Sequence, residues 1–459
     1  MFAGFDYGSS NCAIGVSSDN TTPGNEVHLV PLYQQQAFVP SCLYALSREL
    51  IPESVARTIT DATAQESYMA SRTSQLRLAG ATRRELGIPN DEQVLFIGEE
   101  AISNYVDWPE EGYFVKSPKS FLGASGLRQQ HLDFFEDVVT AMMQQLKGAA
   151  EKQLGYQLEQ TVIGRPVNFQ GSQAETANQQ ACQILDTAAR RAGFKQVELL
   201  FEPIAAGLDF ETTLQQDRLV LVVDVGGGTT DCSMVRMGPS YCHSTERSQD
   251  FLGHSGSRVG GNDLDINLAY KGLMPLFGLN DLLKTGKPLP SQPFWNAVSV
   301  NDIAAQAEFS ALPTTELIKQ LILDAKHPVK VERLQQLQQK RQNYQLVRSA
   351  EQCKIALSNA TEQEVGLDYI EDGLTQPIDA KLYAEAVTRP VDKIVSLMEE
   401  VIAQAACQPD LVYVTGGTAQ SPVVREAIER CLGQVPVMNG DHFGSVAAGL
   451  TKWAARIYR

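Results

Sequence analysis

Short apolar runs alternate with longer amphipathic stretches along the 459-residue chain. Five of these runs end in Gly, Pro or acidic residues and predict β-strands. They are residues 2–5, 160–164, 197–201, 219–223 and 411–415. Between them, apolar residues at helical spacing predict helices, for example over 172–193, where Gly193 is suited to cap the C-terminus. Strands that alternate with helices predict an α/β fold.

Two polar regions interrupt this pattern. Residues 211–218 are mostly polar and predict a seam between two halves of the chain. Residues 329–348 are rich in Gln, Lys, Arg and Leu and predict one long, exposed helix. Prolines at 288, 290 and 293 predict an irregular loop just upstream of this helix.

Composition narrows the classes of function. The net charge of −16 argues against general binding of nucleic acid or of anionic membranes. The sequence contains no run of 18 apolar residues, so we expect no transmembrane helix. The first residues predict a strand rather than a signal peptide. The eight cysteines form no CxxC pair, which predicts reduced core thiols in a cytoplasmic protein.

Two glycine-containing turns repeat one pattern, at residues 5–11 and 223–231. In each, an apolar strand ends in an Asp, followed two residues later by a Gly and then by small hydroxyl residues. Each turn leads into a second apolar segment, which predicts a strand–turn–strand hairpin rather than a P-loop. Glycines let backbone N–H groups approach phosphate oxygens, and carboxylates tether hydrated Mg²⁺. Two such hairpins facing each other predict a clamp for nucleotide phosphates and their metal.

A third turn, at residues 414–418, also follows an apolar strand. It precedes a predicted helix that begins near Pro422, and Pro is favoured in a first helical turn. A helix N-terminus behind two glycines is suited to an α-phosphate or a ribose.

In this order, the three turns resemble the two phosphate motifs and the adenosine motif of the actin, hexokinase and heat-shock-70 superfamily. The segment 224–231 is most similar to the heat-shock-70 (DnaK-type) branch. Further segments resemble that branch at 118–123, 163–169, 200–207, 259–263 and 351–358. Within the branch, the chain is most similar to truncated YegD-type chaperone-like proteins, and we expect the ATPase half without the peptide-binding half.

The resemblance implies an actin-like ATPase fold, with two lobes around a nucleotide cleft and a mixed five-stranded, ribonuclease-H-like sheet in each lobe. It implies an N-terminal lobe at 1–215 with an insertion at about 41–115, and a C-terminal lobe at 216–459 with an enlarged insertion at about 264–360. The implied function is slow, Mg²⁺-dependent hydrolysis of ATP to ADP and phosphate, coupled to lobe closure. We expect a monomer whose closure is sensed by a protein partner or client.

The resemblance also assigns roles to single residues. Asp6 and Asp224 would face Mg²⁺ through water, and Glu202 would order that water or the attacking water. Lys119 would neutralise charge on the γ-phosphate, with Lys116 as a competing candidate. The phosphate ligands would be Gly8, Ser9, Ser10, Asn11, Gly226, Gly227, Gly228, Thr229 (also in the catalytic set) and Thr230. The nucleoside ligands would be Gly261, Glu351, Lys354, Ser358, Gly416, Gly417 and Thr418.

Three features depart from this branch or leave the function open. Ile355 and Gln420 stand where the resemblance places arginines that stack on adenine, so the base preference stays open. The stretch 262–349 is longer than the branch implies and is a candidate partner surface. A small-molecule kinase, a filament-forming ATPase and a nucleotide-sensing scaffold without turnover remain alternatives on the same fold.

Overall fold

The computed structural model describes residues 1–17, 27–124, 126–169, 174–242, 244, 247–440 and 444–458. The strands and α-helices of the first half are, in chain order, β1 (Phe2–Tyr7), β2 (Asn11–Ser17), β3 (Val27–Leu29), β4 (Val39–Pro40), β5 (Cys42–Ala45), α1 (Ile51–Thr58), α2 (Ala62–Ser71), α3 (Thr73–Glu85), β6 (Leu95–Ile97), α4 (Gly98–Asp107), β7 (Tyr113–Lys116), α5 (Gln129–Leu154), β8 (Gln160–Arg165), α6 (Ala174–Arg191), β9 (Gln196–Phe201) and α7 (Glu202–Glu211). Their main sheet has the order β3-β2-β1-β8-β9, and the short β4 also pairs with β2.

The second half begins with a long, mostly buried hairpin. Its strands and α-helices are β10 (Arg218–Val225), β11 (Thr230–Met237), β12 (Phe251–Ser257), α8 (Gly261–Leu268), α9 (Gln292–Val298), α10 (Ile303–Phe309), α11 (Leu312–Asp324), α12 (Pro328–Gln339), α13 (Asn343–Ala356), β13 (Glu362–Gly366), β14 (Thr375–Asp379), α14 (Ala380–Ala386), α15 (Thr388–Ala405), β15 (Leu411–Thr415), α16 (Pro422–Leu432), β16 (Val437–Asn439) and α17 (Ser445–Ile457). Their main sheet has the order β12-β11-β10-β15-β16.

The two main sheets share one topology. In each, a central antiparallel hairpin is extended on one side by two parallel strands. The predicted α/β architecture of two lobes with mixed five-stranded sheets is therefore confirmed, with β4 as a short addition to the first sheet. We call the halves built on these sheets the first and second lobes; the exact domain boundaries stay a prediction.

Each lobe has a smaller attached region that overhangs the main sheet. In the first lobe, β6-β5-β7 form a separate three-stranded sheet beside α1–α4. In the second lobe, α9–α13 and the β13–β14 hairpin pack into the same hydrophobic core as the β10–β11 strands. The two regions face each other above the ends of the central hairpins.

The lobes meet where α7 crosses α17. A β-carbon placed on Gly449 of α17 would lie 1.7 Å from the backbone oxygen of Ala205 in α7. Both helices contribute to one cluster of buried apolar side chains that also contains residues of β8 and β10. This helix pair occupies the position of a hinge, because it is shared by both main sheets.

The predicted elements agree with the structure in most places. All five predicted strands are present, as β1, β8, β9, β10 and β15. The helix predicted over 172–193 is α6, and Gly193 follows it with φ +96°; residues 172 and 173 lie outside the described residues.

One predicted helix is wrong. The segment 329–348 forms two helices, α12 and α13, because the chain turns at Arg341, whose φ is +50°. No apolar residue lies between Leu337 and Tyr344, and the turn brings Leu346 into the same buried core as Leu337. The segment is therefore partly buried and is not the single exposed helix that the sequence predicts.

The sequence also predicts reduced cysteines and no transmembrane helix. None of the eight cysteines forms a disulfide, and Cys12, Cys42, Cys232 and Cys353 are buried while the others are partly exposed. Within the described part of the chain, every helix is too short or too polar to cross a membrane.

Candidate functional site

The turns of the two predicted hairpins meet at the floor of a cleft between the lobes. A β-carbon placed on Gly227 would lie 1.5 Å from the Ser10 hydroxyl oxygen, and one on Gly228 would lie 2.8 Å from the Ser9 hydroxyl oxygen. A side chain at either glycine would collide with a serine of the opposite turn, so the glycines let the two turns lie close together. One anionic group in the cleft can therefore contact N–H and hydroxyl donors from both lobes.

Carboxylates lie at the strand ends behind both turns. Asp6 is the next-to-last residue of β1, and Glu202 is the first residue of α7. Asp224 and Asp231 are paired across the β10–β11 hairpin. Lys119 lies beneath them, where its ammonium pairs with Glu202 and donates to the backbone oxygen of Gly164 at 3.0 Å. The Lys119 ammonium thus lies within a cluster of four acidic side chains and pairs with one of them, Glu202.

Burial makes these acids hard to ionise together. Burial raises the pKa of Asp6 to about 7; the neighbouring Glu202 adds to the rise, and Lys119 opposes it. Burial and then Glu202 raise the pKa of Asp231 to about 8, although the Val167 N–H donates to its carboxylate at 2.6 Å. Burial and Glu202 also raise the pKa of Asp224 well above its ordinary value. A bound cation would relieve this accumulation of negative charge.

The donor set fits a hydrated Mg²⁺. In the part of the chain that the structure describes, no three Asp, Glu, His or Cys side chains converge to enclose a metal ion directly. Asp6 and Asp224 nevertheless both line the cleft beside the phosphate turns. Mg²⁺ keeps several waters and is held by one or two carboxylates with phosphate oxygens, which is what these residues offer.

The third turn closes the other side of the cleft. Gly416 has φ +87°, and a β-carbon there would lie 2.3 Å from the Val225 backbone oxygen, so only Gly fits. The Thr418 hydroxyl donates to the backbone oxygen of Gly226 at 2.9 Å. The third turn is thus fixed directly against the second hairpin.

One face of α13 forms the wall next to the third turn. Arg348, Glu351 and Ile355 recur at helical spacing and line the cleft, and Ser358, two residues past the end of the helix, lines it as well. Ile355 is 60% exposed, which is unusual for a large apolar side chain and leaves it open to a planar ligand. Gln420, at the end of the third turn, also lines the cleft.

Two ion pairs fix the charges along this wall. Lys116 of β7 pairs with Glu351 at 2.9 Å, and Lys354 pairs with the buried Asp265 at 2.7 Å. Burial raises the pKa of Asp265 to about 6 against the pull of Lys354. The pKa of Glu351 is lowered because Lys116 and Lys354 together outweigh its burial. Lys116 therefore belongs to the α13 wall and not to the acidic floor.

Contacts between the two lobes roof the cleft. The Tyr105 hydroxyl of the first lobe donates to the Arg341 backbone oxygen of the second at 2.7 Å. The Tyr105 ring stacks on Phe114 with centroids 4.6 Å apart, and Tyr344 meets Phe114 edge-on at 5.3 Å. These contacts and the Lys116–Glu351 ion pair connect the two lobes above the cleft; we call them the roof.

The cleft has a volume of about 730 Å³ and is lined by all but two of the predicted site residues. Those two are Lys119, which is 3% exposed and lies behind Glu202, and Thr230, whose buried hydroxyl donates to the Val259 backbone oxygen at 2.8 Å. The structure thus brings the three turns, Glu202 and the α13 residues together. The individual roles stay predictions.

Sequence reasoning missed several residues of the cleft. Arg348, Asn262, Asp265 and Asn359 line it beside predicted residues. Arg348 lies one helical turn before Glu351, so helical spacing from the predicted residues was a usable signal. The roof residues Tyr105, Phe114 and Tyr344 lie far apart in the chain and left no such signal.

Comparison with known proteins identifies relatives. Residues 126–270 match the family model described as Hsp70 protein. The chain is 24% identical over 403 residues to "Chaperone protein DnaK" of Prochlorococcus marinus (strain MIT 9515), covering 84% of this chain and 53% of that protein. It is 21% identical over 393 residues to "Chaperone protein dnaK" of Guillardia theta, covering 82% of this chain and 52% of that protein. The chain therefore spans about half the length of the curated relatives it matches.

Residues 126–270 are thus similar to the Hsp70 family, and the chain shows distant homology to DnaK over most of its length. The matched segment begins just before α5 and ends after α8, so it contains Glu202 and the whole second hairpin.

Proposed function

We propose that the cleft binds ATP with Mg²⁺ and hydrolyses it slowly to ADP and phosphate, as an Hsp70-like ATPase. The observation that carries this proposal is the contact between the two glycine turns, where Gly227 leaves no room for a side chain beside Ser10. A phosphate chain is the ligand that uses closely spaced N–H groups from two lobes with carboxylates behind them.

Neutral donors would hold the phosphates. The glycines of the two turns line the cleft and offer backbone N–H groups to phosphate oxygens, and Ser9, Ser10 and Thr229 add hydroxyls. Because these donors belong to different lobes, a ligand that contacts both favours the closed arrangement of the lobes. Closure excludes water from the phosphates and strengthens every electrostatic interaction there.

Asp6 and Asp224 would hold the metal through its water shell. Mg²⁺ supplies charge neutralisation on the phosphate oxygens when it is bound. Both carboxylates must be ionised for this task, and their raised pKa values show that the metal-free site resists that ionisation.

Glu202 and Lys119 would position water and charge near the γ-phosphate. The carboxylate of Glu202 reaches the cleft, whereas the Lys119 ammonium holds that carboxylate from behind. In this conformation Lys119 orients Glu202; it would contact a γ-phosphate only after the Glu202 pair opens. Such fixed charges accelerate a reaction because they need no reorganisation when charge develops.

The experiment compares phosphate release and Mg-ATP affinity in Asp6→Asn, Asp224→Asn and the wild type. Loss of either charge should lower turnover about tenfold to a thousandfold, the range seen when a major electrostatic group is removed. Asp372→Asn, at an exposed position away from the cleft, is the matched control and should leave turnover unchanged. Wild-type turnover in both cleft variants would show that these hairpins do not form the catalytic centre.

The burial of Lys119 favours a second candidate, a nucleotide sensor that binds without turnover. If Lys119 stays paired with Glu202 after ATP binds, its ammonium does not reach the γ-phosphate. Single-turnover assays with bound, labelled ATP separate the two functions, since a sensor would retain ATP without releasing phosphate. The partner or client, and the similarity to the YegD-type, remain part of the proposal in either case.

A further inference from the structure

A small ribbon projects from the second lobe beside α12. Residues 282–288 form a tight hairpin, which pairs with the chain between α11 and α12 through an antiparallel bridge from Leu283 to Ala325. The Lys326 N–H donates to the Leu282 oxygen and the Lys284 N–H donates to the Asp324 oxygen, each at 2.8 Å. We call this surface, residues 282–288 with 323–330, the lysine tip.

The lysine tip is basic in a chain whose net charge is −16. Lys284, Lys287 and Lys326 are exposed, and Lys330 is partly buried. Within the described residues, no carboxylate lies within ion-pairing distance of Lys287 or Lys326. Lys284 instead donates to the Leu323 backbone oxygen at 2.7 Å. Most of this positive charge is thus available to a ligand.

The lysines of the tip outnumber its acids. Asp281, just before the ribbon, is mostly buried and lies 2.8 Å from the His327 ring, and the pKa of Asp281 is lowered because the Leu282 N–H, His327 and Lys330 outweigh its burial. Asp324 accepts a hydrogen bond from the neutral Gln320 at 2.9 Å and keeps its charge, so the tip carries four lysines against one aspartate.

The start of α12 adds further positive potential. The twelve-residue helix begins at this tip with no acidic residue in its first turn and no side-chain cap from His327. Pro328 has no N–H and the Lys330 N–H donates to the His327 oxygen at 3.2 Å, so the helix dipole is what favours negative charge there.

Two large apolar side chains lie among the lysines. Leu323 is 65% exposed and Val329 is 56% exposed. They flank the ribbon on the same segment that supplies Lys326. Exposed apolar groups rimmed by charge are typical of a surface that contacts another protein.

We propose that the lysine tip binds an acidic segment of a partner protein in which large apolar residues are interspersed among carboxylates. Carboxylates would pair with Lys284, Lys287 and Lys326, and apolar side chains would cover Leu323 and Val329. A nucleic acid suits this surface less well, because it offers few apolar groups and the chain's overall charge repels a long polyanion. The proposal goes beyond ATP binding, since no residue of the lysine tip lines the cleft.

The test uses the full chain and a fluorescein-labelled synthetic peptide in which Glu alternates with Leu. Carbodiimide coupling should join its carboxylates to Lys284, Lys287 and Lys326 in preference to other lysines. The double variant Lys287→Glu with Lys326→Glu should weaken binding about tenfold at low salt, and raising the salt should weaken wild-type binding. Neither lysine makes an ion pair in this structure, so the variant should fold; Lys287→Gln with Lys326→Gln gives a milder version.

The controls separate this proposal from a general charge effect. Lys381→Glu with Lys393→Glu makes the same change in net charge at exposed positions of α14 and α15 and should leave binding within about twofold of wild type. A peptide with Gln for Glu, or with Ser for Leu, should bind more weakly than the original. Equal losses in both double variants, or coupling spread evenly over the lysines, would overturn the proposal. So would tip-dependent binding of duplex DNA or of phosphatidylserine vesicles as tight as that of the peptide, or tip-dependent self-association in sedimentation.

Discussion

Lys116 and Lys119 lie three residues apart but serve different walls of the cleft. The backbone between them turns sharply at Ser117, whose φ is +54°. This turn sends Lys116 toward Glu351 on α13 and buries Lys119 beneath Glu202. Sequence spacing could not separate the two lysines, because the turn residue is not a Gly or Asn that would have indicated a left-handed conformation.

Substitution of each lysine by Met, which keeps the bulk and removes the charge, should separate binding from chemistry. We expect Lys119→Met to lower the single-turnover hydrolysis rate about a hundredfold or more while the ATP affinity changes little. Lys116→Met should weaken nucleotide affinity and leave the rate of the chemical step nearly unchanged. Stopped-flow binding with rapid-quench hydrolysis measures both quantities, and a reversed result would exchange the roles of the two lysines.

The raised pKa of Asp6 predicts how the metal-free protein responds to pH. A carboxyl that ionises near pH 3.8 in the unfolded chain but near pH 7 when folded favours the folded state in acid. Its contribution to stability is therefore present below about pH 4 and is lost as the pH rises toward 7. Asp6→Asn should remove this part of the pH dependence in thermal melts without nucleotide. An unchanged slope in the variant would mean that Asp6 is not the responsible group.

At the scale of elements, α13 shows what the sequence could and could not predict. The hairpins were predictable because their Asp, Gly and hydroxyl residues are local and specify turn conformation directly. The start of α13 was not, because the polar run between Leu337 and Tyr344 is compatible with a continuous helix. The turn at Arg341 depends on tertiary packing, which places Leu337 and Leu346 in one core from two different helices.

The exposed face of α13 predicts weak recognition of the base. Ile355 and Gln420 offer no cation to either side of a purine ring. Changing both to Arg should tighten ATP binding by about 1–2 kcal/mol if both guanidinium groups stack on the base. Calorimetric titration with ATP and GTP measures the gain. As a control, Gln408→Arg at an exposed position after α15, away from the cleft, should have no effect. Unchanged affinity in the double variant would place the base elsewhere in the cleft.

At the scale of the whole molecule, the lobes contact each other at the α7–α17 helix pair, at the paired glycine turns and at the roof. At the α7–α17 crossing the two backbones lie so close that a side chain at Gly449 would collide with Ala205, so this contact is suited to remain fixed. The roof combines ring contacts, the partly exposed Lys116–Glu351 ion pair, and hydrogen bonds from Tyr105 to the Arg341 oxygen and from Arg341 to the Glu110 oxygen. We expect opening to occur at the roof while the lobes pivot on the helix pair, because partly exposed polar contacts cost little to break.

Removing one roof ring should make nucleotide release faster. Tyr344 contacts the first-lobe rings of Tyr105 and Phe114, and each aromatic pair contributes about 0.5–1.5 kcal/mol, so loss of both pairs in Tyr344→Ala should accelerate release of a fluorescent ADP analogue about fivefold to a hundredfold. Tyr369→Ala is the matched control, because Tyr369 is also a partly buried tyrosine of the second-lobe core, and Ser349, to which it hydrogen-bonds, belongs to the same lobe. If both variants release the nucleotide at the same rate, the roof does not limit opening; if only Tyr344→Ala is faster, the aromatic contacts hold the cleft closed.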